Sequence, residues 1–101
     1  MLCFLPKFDL ANNTEMCPLE RNALKDFYEA AKGQDWANSA DWMDPYESVC
    51  SWFGVTCKEN RVVELNLIGN GLAGKLSEKV ADLKFLEVLD LSDNDMRVCF
   101  R

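Results

Sequence analysis

The chain of 101 residues contains no histidine, which removes the commonest general base and most zinc-site designs. Basic residues are also few, since 11 lysines and arginines stand against 17 acidic residues and give a formal net charge of −6. No basic cluster is present, so nucleic acid and anionic membrane surfaces are poor candidates as partners. Any chemistry would have to use carboxylates or thiols.

Long apolar runs are missing as well. No stretch approaches the roughly 20 apolar residues that a membrane span needs. The apolar start, Met1 to Pro6, is interrupted by Lys7 and Asp9 and is shorter than the roughly 7 to 15 residues of a signal-peptide core. Five cysteines nevertheless indicate an oxidising compartment. We therefore expect an extracellular or cell-surface protein whose export signal is not visible, with a cytoplasmic protein as the alternative.

What the chain does have is a repeat in its second half. Four residues recur 24 positions later: Leu65 as Leu89, Leu67 as Leu91, Asn70 as Asn94, and Leu72 as Met96. This period and the spelling L-x-L-x-x-N-x-L-x-G-x-L identify a leucine-rich repeat, whose unit is about 20 to 29 residues long. Only one full and one partial repeat are present, whereas about three make a stable stack. We expect a fragment of a longer solenoid, with a cap that carries a vestigial repeat as the alternative.

The alternation inside each copy predicts a short strand with one buried and one exposed face. Because each repeat returns the chain in the same direction, Val63–Leu67 should pair in parallel with Glu87–Leu91. The leucines of the two strands should be buried together: Leu65, Leu67, Leu89 and Leu91. The outward row should form a concave face: Glu64, Asn66, Ile68, Val88, Asp90 and Ser92. After the strand, Asn70 should bond backbone groups of the turn.

Ahead of the repeats, residues Pro18–Lys32 have the apolar periodicity of an amphipathic helix, which Gly33 would end as a C-terminal glycine. We expect this helix to cover the protein's own core, with a partner-binding helix as the alternative. The following loop carries Trp36, Trp42 and Tyr46. These aromatic side chains are expected to fill the core rather than to stack on sugars or bases.

Cys50 and Cys57 frame the sequence C-S-W-F-G-V-T-C. Their spacing matches neither a zinc site nor a redox C-x-x-C motif, so a local disulfide is the simplest account. Gly54 between them would allow a close backbone approach. No confident pairing follows for the other cysteines, which are Cys3, Cys17 and Cys99.

This cysteine box resembles the end of the N-terminal cap of plant-type leucine-rich-repeat proteins, the class seen in receptor kinase ectodomains and polygalacturonase inhibitors. The stretches Glu20–Leu24 and Asp41–Trp42 before it, and Arg61–Leu67 after it, extend the resemblance over residues 17–96. It implies an α/β fold, in which a leucine-rich-repeat solenoid fragment follows a helical, disulfide-closed cap. It also implies extracellular recognition without catalysis. One departure is Ser77, where the plant-type repeat usually has proline.

We divide the chain into an irregular leader at residues 1–16, a cap at 17–60, and repeats at 61–101. The leader contains Asn12 in an N-x-T sequon, a candidate glycan acceptor. The expected function is binding of a protein or peptide ligand by the concave face, beside the remaining repeats of a longer chain. One alternative is a structural cap with no ligand of its own. A hydrolase that uses Glu64 and Asp90 as acid and base is disfavoured, because nothing nearby would raise a pKa. No catalytic residue, metal or cofactor is expected.

Overall fold

The computed structural model describes residues 18–97, in which one helix and five short strands follow one another along the chain. The helix α1 covers Pro18–Ala30. The strands are β1 at Val55–Lys58, β2 at Arg61–Asn66, β3 at Ala73–Lys75, β4 at Val88–Asp90 and β5 at Asp95–Arg97. Single 3-10 turns lie at Gly33–Asp35, Val49–Ser51 and Glu78–Asp82.

The helix α1 ends two residues before the predicted boundary at Lys32. Lys32 itself takes the left-handed conformation, with φ of 61°, that the sequence had assigned to Gly33. Gly33 is instead buried against the ring of Tyr28, and an added Cβ would collide with that ring. The prediction of a glycine C-cap is therefore wrong, because Gly33 is required here for close packing and not for its backbone angle.

The strands β1, β2 and β4 form one sheet in that order. β2 and β4 are parallel with Leu65 opposite Leu89, which confirms the predicted pairing and its 24-residue register. β1 is antiparallel to β2 and joins it through a tight turn. The turn residues Glu59 and Asn60 have φ of 54° and 62°, as expected for the two-residue hairpin turn that suits the strand twist. This hairpin was not predicted.

A second, two-stranded parallel sheet joins β3 to β5 and lies beside the end of the helix. The N–H of Ala73 donates to the carbonyl oxygen of Ala31 at 3.2 Å. Gly74, with φ of 88°, approaches the carbonyl oxygen of Ala30 so closely that a side chain would not fit. The repeat is thereby attached to the cap along its outer side as well as through the main sheet.

The core contains most of the aromatic side chains predicted to fill it. Trp36 and Trp42 are 4.9 Å apart between ring centroids, and Trp42 is 4.9 Å from Trp52. All three indoles are buried. Tyr46 contradicts the prediction, because it is 93% exposed on a turn that directs its ring outward.

The leucines of the two repeat strands are not equally buried. Leu65 and Leu67 have no exposed surface, as predicted. Leu89 is 38% exposed and Leu91 is only partly buried, so the prediction that all four would be buried together is wrong. The reason is that β4 is the edge strand of the sheet within the described residues, and no further described strand packs over it.

The cap is closed by the predicted disulfide. Cys50 and Cys57 are bonded, with 5.5 Å between their Cα atoms, which confirms the pairing. Cys3, Cys17, Cys99 and the sequon residue Asn12 lie outside the described residues.

Candidate functional site: the concave face

The six side chains predicted to face outward lie along the two parallel strands and the residues that follow them. Glu64 is in register with Val88, and Asn66 with Asp90. Ile68 and Val88 are each 45% exposed. The remaining members are Asn66 and Ser92, which are exposed, and Glu64 and Asp90, which are half-buried. The row therefore combines two apolar side chains with four polar ones on the face opposite the buried leucines.

Asp90 has its carboxylate fixed by its neighbour. Its Oδ1 accepts from the hydroxyl of Ser92 at 2.7 Å and from the backbone N–H of Ser92 at 3.2 Å. Both bonds favour the ionised form, the side-chain bond most, and they hold the pKa of Asp90 below its usual value. A general acid needs the opposite shift, so this geometry speaks against Asp90 as the acid of a pair with Glu64.

A ladder of asparagines holds the turns that follow the strands. Asn94 accepts at Oδ1 from the N–H groups of Asn70 and Leu72, each at 2.9 Å. Asn70 continues the ladder into the cap, where its Nδ2 donates to the carbonyl oxygen of Asn38 at 2.8 Å and its Oδ1 accepts from the N–H of that residue at 2.9 Å. The repeat pattern predicted the roles of Asn70 and Asn94. Asn38 was missed, because a single asparagine in a loop carries no periodic signal.

Gly54 sets the distance between the cap and the first repeat strand. Its carbonyl oxygen accepts from the N–H of Asn66 at 2.8 Å. Its φ is 84°, and an added Cβ would lie 2.5 Å from the carbonyl oxygen of Asn66. The predicted close backbone approach is confirmed, and it fixes the strand that carries Asn66 on the concave face.

The helix α1 supports the other end of β2 through a buried acid. Glu20 is 1% exposed, and its Oε1 accepts from the N–H of Val62 at 3.3 Å. Burial raises the pKa of Glu20, while the bond from Val62 and the charge of Arg61 oppose the rise. The sequence gave no sign that Glu20 is buried, because an acidic side chain next to Arg21 is expected to face solvent.

Ser77, where the family pattern usually has proline, also connects the repeat to the cap. Its hydroxyl lies in hydrogen-bond contact with Oδ2 of Asp26 on α1 and accepts from the N–H of Lys79. It therefore caps the 3-10 turn of the repeat and attaches that turn to the helix. These hydrogen bonds give serine a structural role at the position where the family pattern usually has proline.

The strand β1 adds one more row to the face. Thr56 is exposed and lies opposite Glu64, so the outward row runs across three strands from Thr56 through Glu64 to Val88. The alternation in V-T-C-K, followed by two turn residues and R-V-V-E, was the available signal for this strand. The cysteine motif overlaps this strand at Val55–Cys57, so the same residues carry both patterns.

Among residues 18–97, no group of three or more His, Cys, Asp or Glu side chains is arranged to hold a metal ion. Over the same span, no helix has the length and apolar character needed to cross a membrane.

Comparison with known proteins agrees with this architecture. Residues 17–58 match the family described as the leucine rich repeat N-terminal domain. Phytosulfokine receptor 1 of Arabidopsis thaliana is 35% identical over 99 residues, which are 93% of this chain and 9% of that receptor. The LRR receptor-like serine/threonine-protein kinase EFR of the same plant is 32% identical over 96 residues, or 92% of this chain and 9% of the kinase. The chain thus spans about a tenth of these relatives.

Solved structures show the same fold. The crystal structure of PEPR1-AtPEP1 superposes with a TM-score of 0.62 at 25% identity, covering 75% of this chain and 11% of the other. The BIR3–SERK2 complex from Arabidopsis thaliana gives a TM-score of 0.63 at 31% identity, over 73% of this chain and 42% of the matched one. The chain therefore has the N-terminal cap and leucine-rich-repeat fold of plant-type leucine-rich-repeat proteins.

Proposed function

We propose that this chain is a non-catalytic, protein-binding module of the receptor-ectodomain type that acts outside the cell or at its surface. In this proposal residues 17–60 form the cap and residues 61–101 carry the binding repeats. The observation that carries it is the single outward row across the parallel strands, held by the asparagine ladder behind it. Such a row displays side chains at fixed spacing on a rigid scaffold, which suits recognition of a protein or peptide.

Several features support this reading. One relative is named as a receptor for phytosulfokine, and one similar solved structure is a complex of BIR3 with SERK2. The disulfide of the cap is typical of an oxidising, extracellular setting. The lowered pKa of Asp90 makes this carboxylate unsuited to the role of a general acid.

The size of the face limits what this part of the chain does alone. Six side chains on two short strands fall well below the roughly 800 Å² per partner of a standard interface. We therefore propose that tight binding requires further repeats beside β4. The cap would align the face, while the affinity would come from the longer surface.

The proposal is tested by crosslinking at single positions. A photo-crosslinking residue is placed at Val88, on the concave face, and in a control at Lys25, an exposed position on α1. Each protein is exposed to extracellular extract, and crosslinked partners are identified by mass spectrometry. We expect specific adducts from position 88 alone. Equal capture at both positions, or capture at position 25 alone, contradicts the concave-face assignment.

A captured partner then permits a quantitative test. Its Kd is measured for the chain, for a version extended by further repeats, and for the variants Asn66→Ala and Asp90→Asn. We expect the extended version to bind more tightly and each substitution to weaken binding. If the short chain binds as tightly as the long one and neither substitution matters, the binding surface lies elsewhere.

A further inference from the structure

Tyr46 is the most exposed large hydrophobic side chain of the described residues, with 93% of its surface open to solvent. It occupies the second central position of a turn in which the N–H of Glu47 donates to the carbonyl oxygen of Asp44 at 3.3 Å. Its own N–H donates to Oδ1 of Asp44 at 2.9 Å. Burial of an aromatic ring normally stabilises the folded state. Here the turn holds the phenol away from the protein.

This turn is held in place by a side chain of the helix α1. Arg21 donates from Nη2 to the carbonyl oxygen of Glu47 at 2.6 Å and from Nη1 to that of Asp44 at 3.4 Å. The guanidinium lies over the buried ring of Trp52, 5.4 Å from its centroid. The turn is therefore a rigid projection, and the Tyr46 hydroxyl is free to enter the active site of another protein.

The charged side chains of the loop that carries Tyr46 are all acidic, although the Arg21 guanidinium lies against the carbonyl oxygens of the same turn. Between Lys32 and Lys58 the chain carries no lysine or arginine. The same stretch has four acidic residues, of which three lie within five positions of Tyr46: Asp41, Asp44 and Glu47. A transferase whose donor is a polyanion needs a positive cleft, and such a cleft attracts an acceptor segment with this charge.

We propose that Tyr46 is a site of tyrosine O-sulfation, modified by a sulfotransferase that recognises the acidic turn. The phenol oxygen attacks the sulfur of an adenosine nucleotide phosphosulfate, and a new O–S bond forms. The bond between the sulfur and the oxygen that bridges it to the nucleotide phosphate breaks, and this oxygen leaves as part of the nucleotide. The phenol proton passes to a base of the transferase, and nothing is oxidised or reduced.

Sulfate is favoured over phosphate by the compartment. The disulfide between Cys50 and Cys57, close to this turn in sequence, is typical of an oxidising compartment. Secretory transferases meet the chain there, after the cap has closed, whereas most protein kinases act in the reducing cytosol. The modification would add one permanent negative charge to a turn whose own four residues, 44–47, include no lysine or arginine.

The chain provides its own matched control, because it has two tyrosines. Tyr28 is half-buried, and its ring is stacked on Trp42 with 5.9 Å between centroids. A transferase that recognises an accessible phenol should therefore modify Tyr46 and leave Tyr28 alone.

The test begins with the purified, disulfide-closed chain, a tyrosylprotein sulfotransferase and a radiolabelled adenosine phosphosulfate. A flexible peptide with an acid-flanked tyrosine shows that the enzyme is active. We expect label in the unmodified chain and in Tyr28→Phe, no label in Tyr46→Phe, and fragment masses that place the sulfate on Tyr46. Absence of label while the peptide is labelled overturns the proposal, as does label that persists in Tyr46→Phe.

Recognition of the acidic residues by the transferase is tested separately, with one variant that carries both Asp41→Asn and Glu47→Gln. Asparagine tolerates the left-handed backbone at position 41, where φ is 68°, so the fold should be retained. We expect kcat/KM for sulfation to fall severalfold at low salt and the difference to shrink at high salt. An unchanged rate contradicts recognition through charge.

A secreted form expressed in plant cells behind an added export signal completes the test. Intact mass and phosphatase treatment distinguish the two possible esters on Tyr46. A phosphatase-resistant sulfate supports the proposal. A phosphate, or an unmodified Tyr46 in cells that sulfate the control peptide, overturns it.

Discussion

The side-chain oxygen of Asn94 accepts a hydrogen bond from the backbone N–H of Asn70 at 2.9 Å, so the second repeat directly supports the turn of the first. The same side chain donates to the carbonyl oxygens of Leu67, Leu91 and Ser92 at 2.7 to 3.0 Å. One amide therefore joins two successive turns through bonds to five backbone groups.

We predict that Asn94→Ala lowers the free energy of unfolding by about 2 to 3 kcal/mol, because several backbone groups lose their partner at once. Urea denaturation followed by circular dichroism measures the change. Asn66→Ala is the matched control, since its exposed side chain makes one long contact, at 3.4 Å, with the N–H of Ile68. Equal effects of the two substitutions would show that the ladder adds little stability.

A second prediction concerns pH and Glu20, whose pKa is raised above its usual 4.5 by burial. The folded state then binds the proton more tightly than the unfolded state, so this group stabilises the fold fully below pH 4.5 and less as the pH rises through the raised pKa. Glu20→Gln removes that dependence. We expect the stability of the variant relative to the unmodified protein to increase as the pH rises above 4.5.

The measurement for Glu20 is a series of urea denaturations at closely spaced pH values. Glu29→Gln, an exposed position on the same helix, controls for the loss of one negative charge. A stability difference between Glu20→Gln and the unmodified protein that does not change with pH would contradict the prediction.

A third prediction follows from the short loop closed by Cys50 and Cys57, which are seven positions apart. Replacing both by alanine should reduce the free energy of unfolding by about 2.5 kcal/mol, because the unfolded chain regains loop entropy. Thermal unfolding of the two proteins, with and without reductant, measures the effect. Reductant added to the double variant reveals any contribution of Cys3, Cys17 and Cys99. An unchanged midpoint in the double variant would refute the loop account.

A fourth prediction separates two reasons for glycine. Gly54→Ala should destabilise by roughly 3 kcal/mol or more, because left-handed strain of about 1 to 2 kcal/mol is added to a collision with the β2 backbone. Gly69 also has a positive φ, of 58°, but its added Cβ would have its nearest neighbour, the Cβ of Asp93, at 3.8 Å. Gly69→Ala should therefore show the strain alone. Comparable losses in urea denaturation would mean that the β2 contact relaxes freely.

Much of this architecture was predictable because equivalent residues of the two repeats recur at a fixed spacing in the sequence. The 24-residue spacing of Leu65 and Leu89 determined the parallel pairing and the register, and the same spacing marked Asn70 and Asn94 as supports. The outward row followed from alternation alone. Whether that row binds a partner stays a prediction, because neither alternation nor placement identifies a ligand.

The features that were missed occur once in the chain. The hairpin turn at Glu59 and Asn60 lacks glycine, so its sequence gave only a weak turn signal. Tyr46 and Trp42 lie four positions apart in one loop, yet one is exposed and the other buried. Their difference depends on which way the turn projects, which the bonds from Arg21 determine. A contact between distant parts of the chain cannot be read from local composition.

The hairpin of β1 and β2 makes the two edges of the main sheet unequal. β1 runs against the direction of the repeat strands, whereas β4 runs with it and repeats the register of β2. A further repeat strand can continue the pattern only beside β4. The sheet that starts in the cap can therefore be extended at one edge only. Further repeats would add to it in order from the N-terminus, which is the order in which the ribosome synthesises them.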